Sequence, residues 1–190
     1  DEYGRIKSNS IKEKALMPEE IDPNRSGTVY LCTADKDGNM VSYIQSNYMG
    51  FGSGVVIPET GIALQNRLHN FNYDNDHSNC LMPHKKTYHT IIPGFLMKDG
   101  KALGPFGVMG GFMQPQGHVQ VVTNMIDFHM NPQEAIDAPR WQWINGINVE
   151  VEKDVPVNIV RELENRGHKV TIQPNEALFG RGQMILRTNE

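Results

Sequence analysis

The feature that most constrains the fold is an abrupt change in composition at Thr28. Residues 1–27 are polar and charged, lack any sustained apolar period and end in a stretch with Pro, Asn, Ser and Gly. This composition predicts a tail or linker. From Thr28 to Ala34, β-branched and aromatic residues predominate, which is typical of a strand. We therefore expect the ordered part of the chain to begin directly after Gly27.

After this boundary the sequence predicts two β-hairpins followed by two helices. The turn-forming segments DKDG at 35–38 and KDGK at 98–101 each separate two runs of strand-like composition. A helix is predicted over residues 116–129, where five residues fall at helical spacing: Val119, Val122, Met125, Ile126 and His129. The run NPQE at 131–134 has the composition of a capping box with proline in the first turn, and it predicts the start of a second helix.

The last part of the chain adds shorter elements. A strand is predicted at 149–152, followed by a helix that Asp154 caps and that ends at Gly167, and then by strands at 169–173 and 183–187. Strands and helices do not alternate strictly, as a doubly wound parallel sheet would require. The order indicates an α+β fold in which helices cover a largely antiparallel sheet.

Composition argues against two classes of partner. A net charge of -4 and an isoelectric point near 6.0 provide no basic surface for nucleic acid. The apolar runs are far shorter than the roughly 20 residues that a membrane span needs. No signal peptide opens the chain, which favours a cytoplasmic location and leaves the compartment open. None of the chemistry considered below needs a cofactor, and none is expected.

Thr28 is the first candidate for chemistry. A threonine hydroxyl is a poor nucleophile and needs an adjacent base. Cutting the Gly27–Thr28 bond would create an α-amino group with a pKa of about 7.7–8.0, which suits a general base. The hydroxyl can attack the Gly27 carbonyl itself, and glycine tolerates the strained backbone that this step requires. A threonine at the start of a strand is also ordinary, so spacing alone leaves both interpretations open.

Two further motifs have both a functional and a structural interpretation. The segment from 69 to 89 is rich in possible metal ligands, namely His69, His77, Cys80, His84 and His89. The spacing within 77–84 fits a metal site, but the surrounding Asn and Asp residues favour a solvated loop. The MGG run at 109–111 precedes a predicted helix, where backbone N–H groups can bind an oxyanion. A pair of glycines is also common in turns.

Several motifs occur in the order and spacing of one enzyme family. They are TVYLCTADKDGNMVS from Thr28, GFGSG from Gly50, LQNRLHNF from Leu64, MGG from Met109 and NPQEAIDAPR from Asn131. Together they resemble the small subunit of the gamma-glutamyltranspeptidases over residues 28–183. The resemblance implies an N-terminal nucleophile hydrolase with a four-layer αββα sandwich, made as a precursor that cleaves itself. Residues 1–27 would end the large subunit, and residues 28–190 would be the small-subunit catalytic half that pairs with it.

The resemblance also implies a role for individual residues. Thr28 is the nucleophile, released by cleavage between Gly27 and Thr28. Ser46 falls where the family has a second threonine that assists the nucleophile. The backbone N–H groups of Gly110 and Gly111 correspond to those that hold the oxyanion. Positions that bind substrate fall on Tyr48, Arg67, Asn70, His89 and Thr90.

These substrate-binding positions depart from the family pattern. The transpeptidases hold the glutamyl α-amino group with Asn, Gln and Asp, where this chain has Tyr48, Arg67 and Asn70. A pair of serines holds the α-carboxylate, where this chain has His89 and Thr90. Replacing Asp by a neutral amide removes the charged partner of an ammonium. A desolvated ammonium facing Arg67 would be unfavourable by several kcal/mol.

The resemblance therefore predicts a self-processing amide hydrolase or acyltransferase that acts on a small-molecule amide. An anionic acyl group facing Arg67 would suit it, as in the cephalosporin-acylase-like members and the amidohydrolases of small acidic amides. Three alternatives stay open: a true γ-glutamyl (glutathione) hydrolase or transpeptidase, a non-catalytic homologue that never matures, and a metal-binding module. A higher oligomer is also left open.

Overall fold

The computed structural model describes residues 27–188, so the predictions made for residues 1–26 lie outside the described residues. The strands are β1 (Val29–Ala34), β2 (Met40–Gln45), β3 (Gly94–Lys98), β4 (Lys101–Met109), β5 (Trp141–Asn145), β6 (Asn148–Glu152), β7 (Lys169–Gln173) and β8 (Arg181–Met184). The helices are α1 (Gln114–Ile126), α2 (Pro132–Asp137) and α3 (Val157–Asn165). None of the helices in the described part is long and apolar enough to cross a membrane.

Both predicted hairpins are present. β1 and β2 pair in antiparallel register around the 35–38 turn. The Asp35 carboxylate stabilises this turn by accepting hydrogen bonds from the backbone N–H groups of Asp37 and Asn39, each at 2.9 Å. β3 and β4 form the second antiparallel hairpin, and β8 pairs with the other edge of β4. The mixed content of helix and strand agrees with the predicted α+β class.

The strands form three small sheets, so the expectation of one sheet is wrong. β1 pairs with β2, β4 lies between β3 and β8, and β6 lies between β5 and β7. β6 and β7 are parallel because α3 connects them as a crossover, whereas the other pairs are antiparallel. β5 was not predicted, and the closing strand begins at Arg181, two residues before the predicted start.

Successive residues of β4 point to opposite faces of the strand, so β4 can pack against a layer on each side. A Cβ atom added to Gly107 would lie 2.6 Å from the Tyr30 ring, so β1 packs directly on the backbone of β4. Val108 faces the opposite side and joins a core cluster with Met113, Val121, Ala135 and Phe179. A second cluster joins α3 to the β5–β6–β7 sheet through Val149, Val151 and Val160.

The buried side of α1 differs from the one that its apolar residues suggest. Val119 and Ile126 are exposed, and His129 lies beyond the end of the helix. The residues that face the interior, at helical spacing, are Gln114, Gly117, His118 and Val121. Apolar periodicity failed here because a glycine and two polar side chains occupy buried positions.

The start of α2 is as predicted, whereas the start of α3 is not. The Asn131 side chain accepts a hydrogen bond from the Glu134 N–H at 3.0 Å, and the Glu134 carboxylate accepts one from the Asn131 N–H at 2.9 Å. This is the reciprocal pair of a capping box. The prediction that Asp154 caps α3 is wrong, because Pro156 occupies the N-cap position and no side chain caps the helix.

Candidate active site

The hydroxyl groups of Thr28 and Ser46 meet because of the register of the first hairpin. Val29 pairs with Gln45 at the end of the ladder, so the next residues outward, Thr28 and Ser46, lie opposite each other. Thr28 Oγ1 donates a hydrogen bond to Ser46 Oγ at 2.9 Å. Ser46 Oγ also accepts a hydrogen bond from the Tyr48 N–H at 2.9 Å, which fixes the serine rotamer. The two predicted catalytic hydroxyls are therefore adjacent.

The loop that follows Ser46 is joined to the segment that contains Arg67. Asn66 makes this connection through both its side chain and its backbone. Its side-chain oxygen accepts a hydrogen bond from the Met49 N–H at 3.1 Å, and its own N–H donates to the Asn47 carbonyl at 3.1 Å. Sequence reasoning did not single out Asn66, although it lies next to Arg67 within the motif LQNRLHNF. These bonds bring Arg67 beside Tyr48, with 5.5 Å between its Cζ atom and the ring centroid.

Arg67 is a buried cation with few partners. Its side chain is only 4% exposed, and its Nε donates a long hydrogen bond of 3.4 Å to Thr90 Oγ1. Its Nη2 atom is buried and makes no hydrogen bond to any other residue of the described range 27–188. Within residues 27–188, no carboxylate forms an ion pair with it. Burial lowers the pKa of Arg67, the direction expected for a cation whose charge is not neutralised nearby.

The remaining predicted substrate-binding residues lie close to Arg67 or to its segment. His89 precedes Thr90, and both burial and the positive charge of Arg67 lower the pKa of its imidazole. Its Nδ1 accepts a hydrogen bond from the Ile91 N–H at 3.0 Å. The Asn70 amide donates to the Tyr88 carbonyl at 3.3 Å, so one end of this side chain is already engaged.

Gly110 and Gly111 form a sharp turn between β4 and α1. Their φ angles are 151° and 60°, values that favour glycine, and the Gly110 carbonyl accepts a hydrogen bond from the Met113 N–H at 3.1 Å. Backbone N–H groups at such a helix start lie at the positive end of the helix dipole. The contact of Gly107 with Tyr30 brings this end of β4 against β1, two residues after Thr28.

The histidine-rich segment shows no metal-binding geometry in the described part of the chain. No group of three or more His, Cys, Asp or Glu side chains within residues 27–188 is placed to hold a metal ion. Cys80 is buried, and the His77 imidazole accepts a hydrogen bond from the Asn79 N–H at 3.0 Å. His69 instead lies near Tyr48, with 6.4 Å between ring centroids.

A family model described as Gamma-glutamyltranspeptidase matches residues 1–190. The chain belongs to the gamma-glutamyltranspeptidase family. It is 41% identical over 161 residues to the glutathione hydrolase-like YwrD proenzyme of Bacillus subtilis (strain 168). The aligned region covers 82% of this chain and 31% of that relative. It is 33% identical over 190 residues to the oxamate amidohydrolase proenzyme of Klebsiella pneumoniae subsp. pneumoniae. That alignment covers 96% of this chain and 36% of that relative.

A solved structure of this family supports the fold. The crystal structure of cephalosporin acylase from Bacillus halodurans superposes with a TM-score of 0.79 at 66% identity, covering 84% of this chain and 30% of that one. The described residues therefore have the mixed helix and strand fold of that part of the acylase. The chain spans about a third of the length of these family members.

Proposed function

We propose that this chain is the catalytic half of a self-processing amide hydrolase or acyltransferase, with Thr28 as an N-terminal nucleophile. The observation that carries the proposal is the 2.9 Å hydrogen bond between Thr28 Oγ1 and Ser46 Oγ. It holds the reacting oxygen at the end of a strand, next to a glycine. Family membership supports the same chemistry.

Maturation is a rearrangement of the Gly27–Thr28 bond. Thr28 Oγ1 attacks the Gly27 carbonyl carbon, the C–N bond breaks, and the released nitrogen gains a proton to become the α-amine. Water then hydrolyses the resulting ester, which leaves a carboxylate on Gly27 and a free hydroxyl on Thr28. A Cβ atom on Gly27 would lie 3.1 Å from the Gly50 carbonyl oxygen, so Gly27 lies close to the GFGSG loop and a larger residue at this position would have little room.

Turnover uses the new α-amine as the general base. The amine accepts the Thr28 hydroxyl proton while Oγ1 attacks the substrate carbonyl. The backbone N–H groups of Gly110 and Gly111 stabilise the negative oxygen of the tetrahedral intermediate. The amine leaving group departs with that proton, and the acyl group stays on Thr28 as an ester until water or an acceptor amine takes it. Ser46 keeps the Oγ1 atom in position.

The substrate is an amide whose acyl group carries a carboxylate and no adjacent ammonium. Arg67 supports this choice, because its buried guanidinium has an unused Nη2 donor and no carboxylate partner in residues 27–188. Tyr48, Thr90 and His89 line the same region, with Asn70 at its edge. Two family members bear names that fit, an oxamate amidohydrolase and a cephalosporin acylase. Glutathione hydrolysis is the second candidate, since another relative is named glutathione hydrolase-like.

The proposal includes the rest of the molecule. Residues 1–27 end the large subunit of the same precursor, and residues 28–190 complete the four-layer αββα sandwich with it. The β1–β2 hairpin packs on β4 and α1 packs on the opposite face of β4, which supports a layered arrangement of this kind. The large subunit is the expected partner, and no cofactor is needed.

Intact-mass analysis of the full-length protein that contains this chain tests the proposal. The expected result is a fragment that begins at Thr28, with amide hydrolysis that appears as the fragment accumulates. Thr28→Ala should abolish both, whereas Thr33→Ala, an exposed threonine on the same strand, should change neither. A wild-type chain that stays joined after long incubation would identify a non-maturing homologue. Activity that survives Thr28→Ala would exclude Thr28 as the nucleophile.

A further inference from the structure

We infer that Arg140 is a positioning residue that holds the oxyanion turn at Gly110 in place through the backbone of Gly180. The inference rests on the proposed function, because it assigns an effect on the transition state. Arg140 lies in the motif NPQEAIDAPR and received no role from its sequence position. It follows α2 and comes directly before β5.

Arg140 uses all three guanidinium nitrogens on backbone carbonyl groups. Its Nε donates to the Phe179 carbonyl at 2.9 Å, its Nη2 to the Gly180 carbonyl at 3.0 Å and its Nη1 to the Ile136 carbonyl at 2.7 Å. The Arg140 side chain is buried, and Glu152 lies beside it with 3.9 Å between Oε1 and Nη2. A lysine would offer the charge without the planar fork that spans two successive carbonyls.

Gly180 in turn touches the strand end that carries the oxyanion donors. A Cβ atom on Gly110 would lie 3.1 Å from the Gly180 Cα. A Cβ atom on Gly180 would lie 2.0 Å from the Met109 carbonyl oxygen and 2.8 Å from Val108 Cγ1. The two backbones are therefore in contact: there is no space for a side chain on Gly180, and one on Gly110 would fit only tightly. Any movement of Gly180 is transmitted directly to the turn at Gly110.

The chain of contacts predicts an effect on rate rather than on substrate binding. Donors of an oxyanion site act only when they are about 2.7–3.1 Å from the developing negative oxygen. A displaced turn would weaken the transition-state interaction and leave the ground-state contacts made by Arg67 unchanged. Such a change lowers kcat while KM stays near its original value.

The test measures kcat and KM separately in the mature full-length enzyme, per titrated active site, for Arg140→Lys and Gly180→Ala. The matched control is Gly100→Ala. Gly100 has a φ angle of 75°, close to the 79° of Gly180, but a Cβ atom on Gly100 would meet no atom within 4 Å. The expected result is a loss of kcat of about tenfold or more in both variants, with KM within about twofold. Affinity for a boronate that mimics the tetrahedral intermediate should fall by the same factor as kcat.

Three results would overturn the inference. The first is kcat per site equal to wild type in Gly180→Ala or Arg140→Lys. The second is an equal loss in Gly100→Ala. The third is failure of both variants to yield soluble, processed protein, which would assign Arg140 to folding alone. An inactive, uncleaved wild type would instead refute the proposed function, so the two failures are distinguishable.

Discussion

The backbone N–H of Val108 donates a hydrogen bond to Nε2 of His118 at 3.0 Å, just before the turn at Gly110. The acceptor must be a neutral imidazole, and burial lowers the pKa of His118. A lowered folded-state pKa contributes stability that is present above the unfolded value of about 6.5 and is lost as pH falls toward the folded value. We therefore expect the melting temperature to decrease as the pH is lowered below about 6.5.

The measurement is Tm against pH for wild type and His118→Gln, which retains an uncharged acceptor. The acid-side slope should become smaller in His118→Gln and stay unchanged in His84→Gln, a control in an exposed loop position. An identical slope in wild type and His118→Gln would show that His118 does not control acid stability.

A side chain at Gly107 should destabilise the packing of β1 on β4. The added methyl group of Gly107→Ala would lie 2.6 Å from the Tyr30 ring, which is almost fully buried and cannot swing away. Overpacking of this kind costs about 1–3 kcal/mol, measured by urea unfolding. Gly182→Ala is the control on the neighbouring strand. Its added methyl would lie 3.1 Å from the Ile136 side chain and 3.7 Å from Val108 Cγ2, so a smaller loss is expected.

Removal of the capping box at α2 should have a measurable effect, unlike removal of the carboxylate before α3. Asn131→Ala loses the hydrogen bond to the Glu134 N–H, which should lower the free energy of unfolding by about 1 kcal/mol. Asp154→Ala removes a side chain that does not cap its helix, and it should change stability by less than about 0.5 kcal/mol. Equal losses in the two variants would contradict the assigned caps.

Loss of the Ser46 hydroxyl should slow turnover. Ser46→Ala removes the 2.9 Å hydrogen bond from Thr28 Oγ1, so the proposed nucleophile is held less firmly and kcat should fall by about tenfold or more. Ser46→Thr retains the hydroxyl and should recover most of the rate, measured on mature enzyme per titrated site. Full activity in Ser46→Ala would remove Ser46 from the catalytic machinery.

Arg67 should influence stability and substrate preference in opposite directions. A buried cation without a carboxylate partner is unfavourable, so Arg67→Met should leave the free energy of unfolding equal or higher. The same substitution should raise KM by more than about tenfold for glutaryl or oxamate-type amides, because the charged contact with the carboxylate is lost. The comparison substrate is γ-glutamyl-p-nitroanilide. If the wild-type enzyme prefers it, the inferred acyl group is wrong.

Local signals predicted the hairpins and the start of α2, because turn residues and caps act within a few positions. The buried face of α1 and strand β5 could not be predicted in this way. His118 is buried where its imidazole accepts a hydrogen bond from the Val108 N–H. β5 is recognised as a strand only by its pairing with β6. In the site, family motifs indicated Thr28 and Ser46. They did not indicate that Arg67 Nη2 is buried with no hydrogen-bond partner among the described residues. That property follows from three-dimensional packing and cannot be predicted from the spacing of residues in the sequence.

The distance between two hydroxyl groups in this molecule is set by a turn that contains neither of them. Thr28 and Ser46 are opposite because every pair from Ala34 and Met40 outward is in register. The turn at 35–38 therefore determines which residue lies opposite Thr28, from about 20 Å away at about 3.3 Å per strand residue. An insertion of one residue there would exchange the two faces of β2 and present Ser46 to the wrong side. The length of this remote turn is thus constrained by the pairing of Thr28 with Ser46, and the turn is not a place where the chain can freely accept insertions.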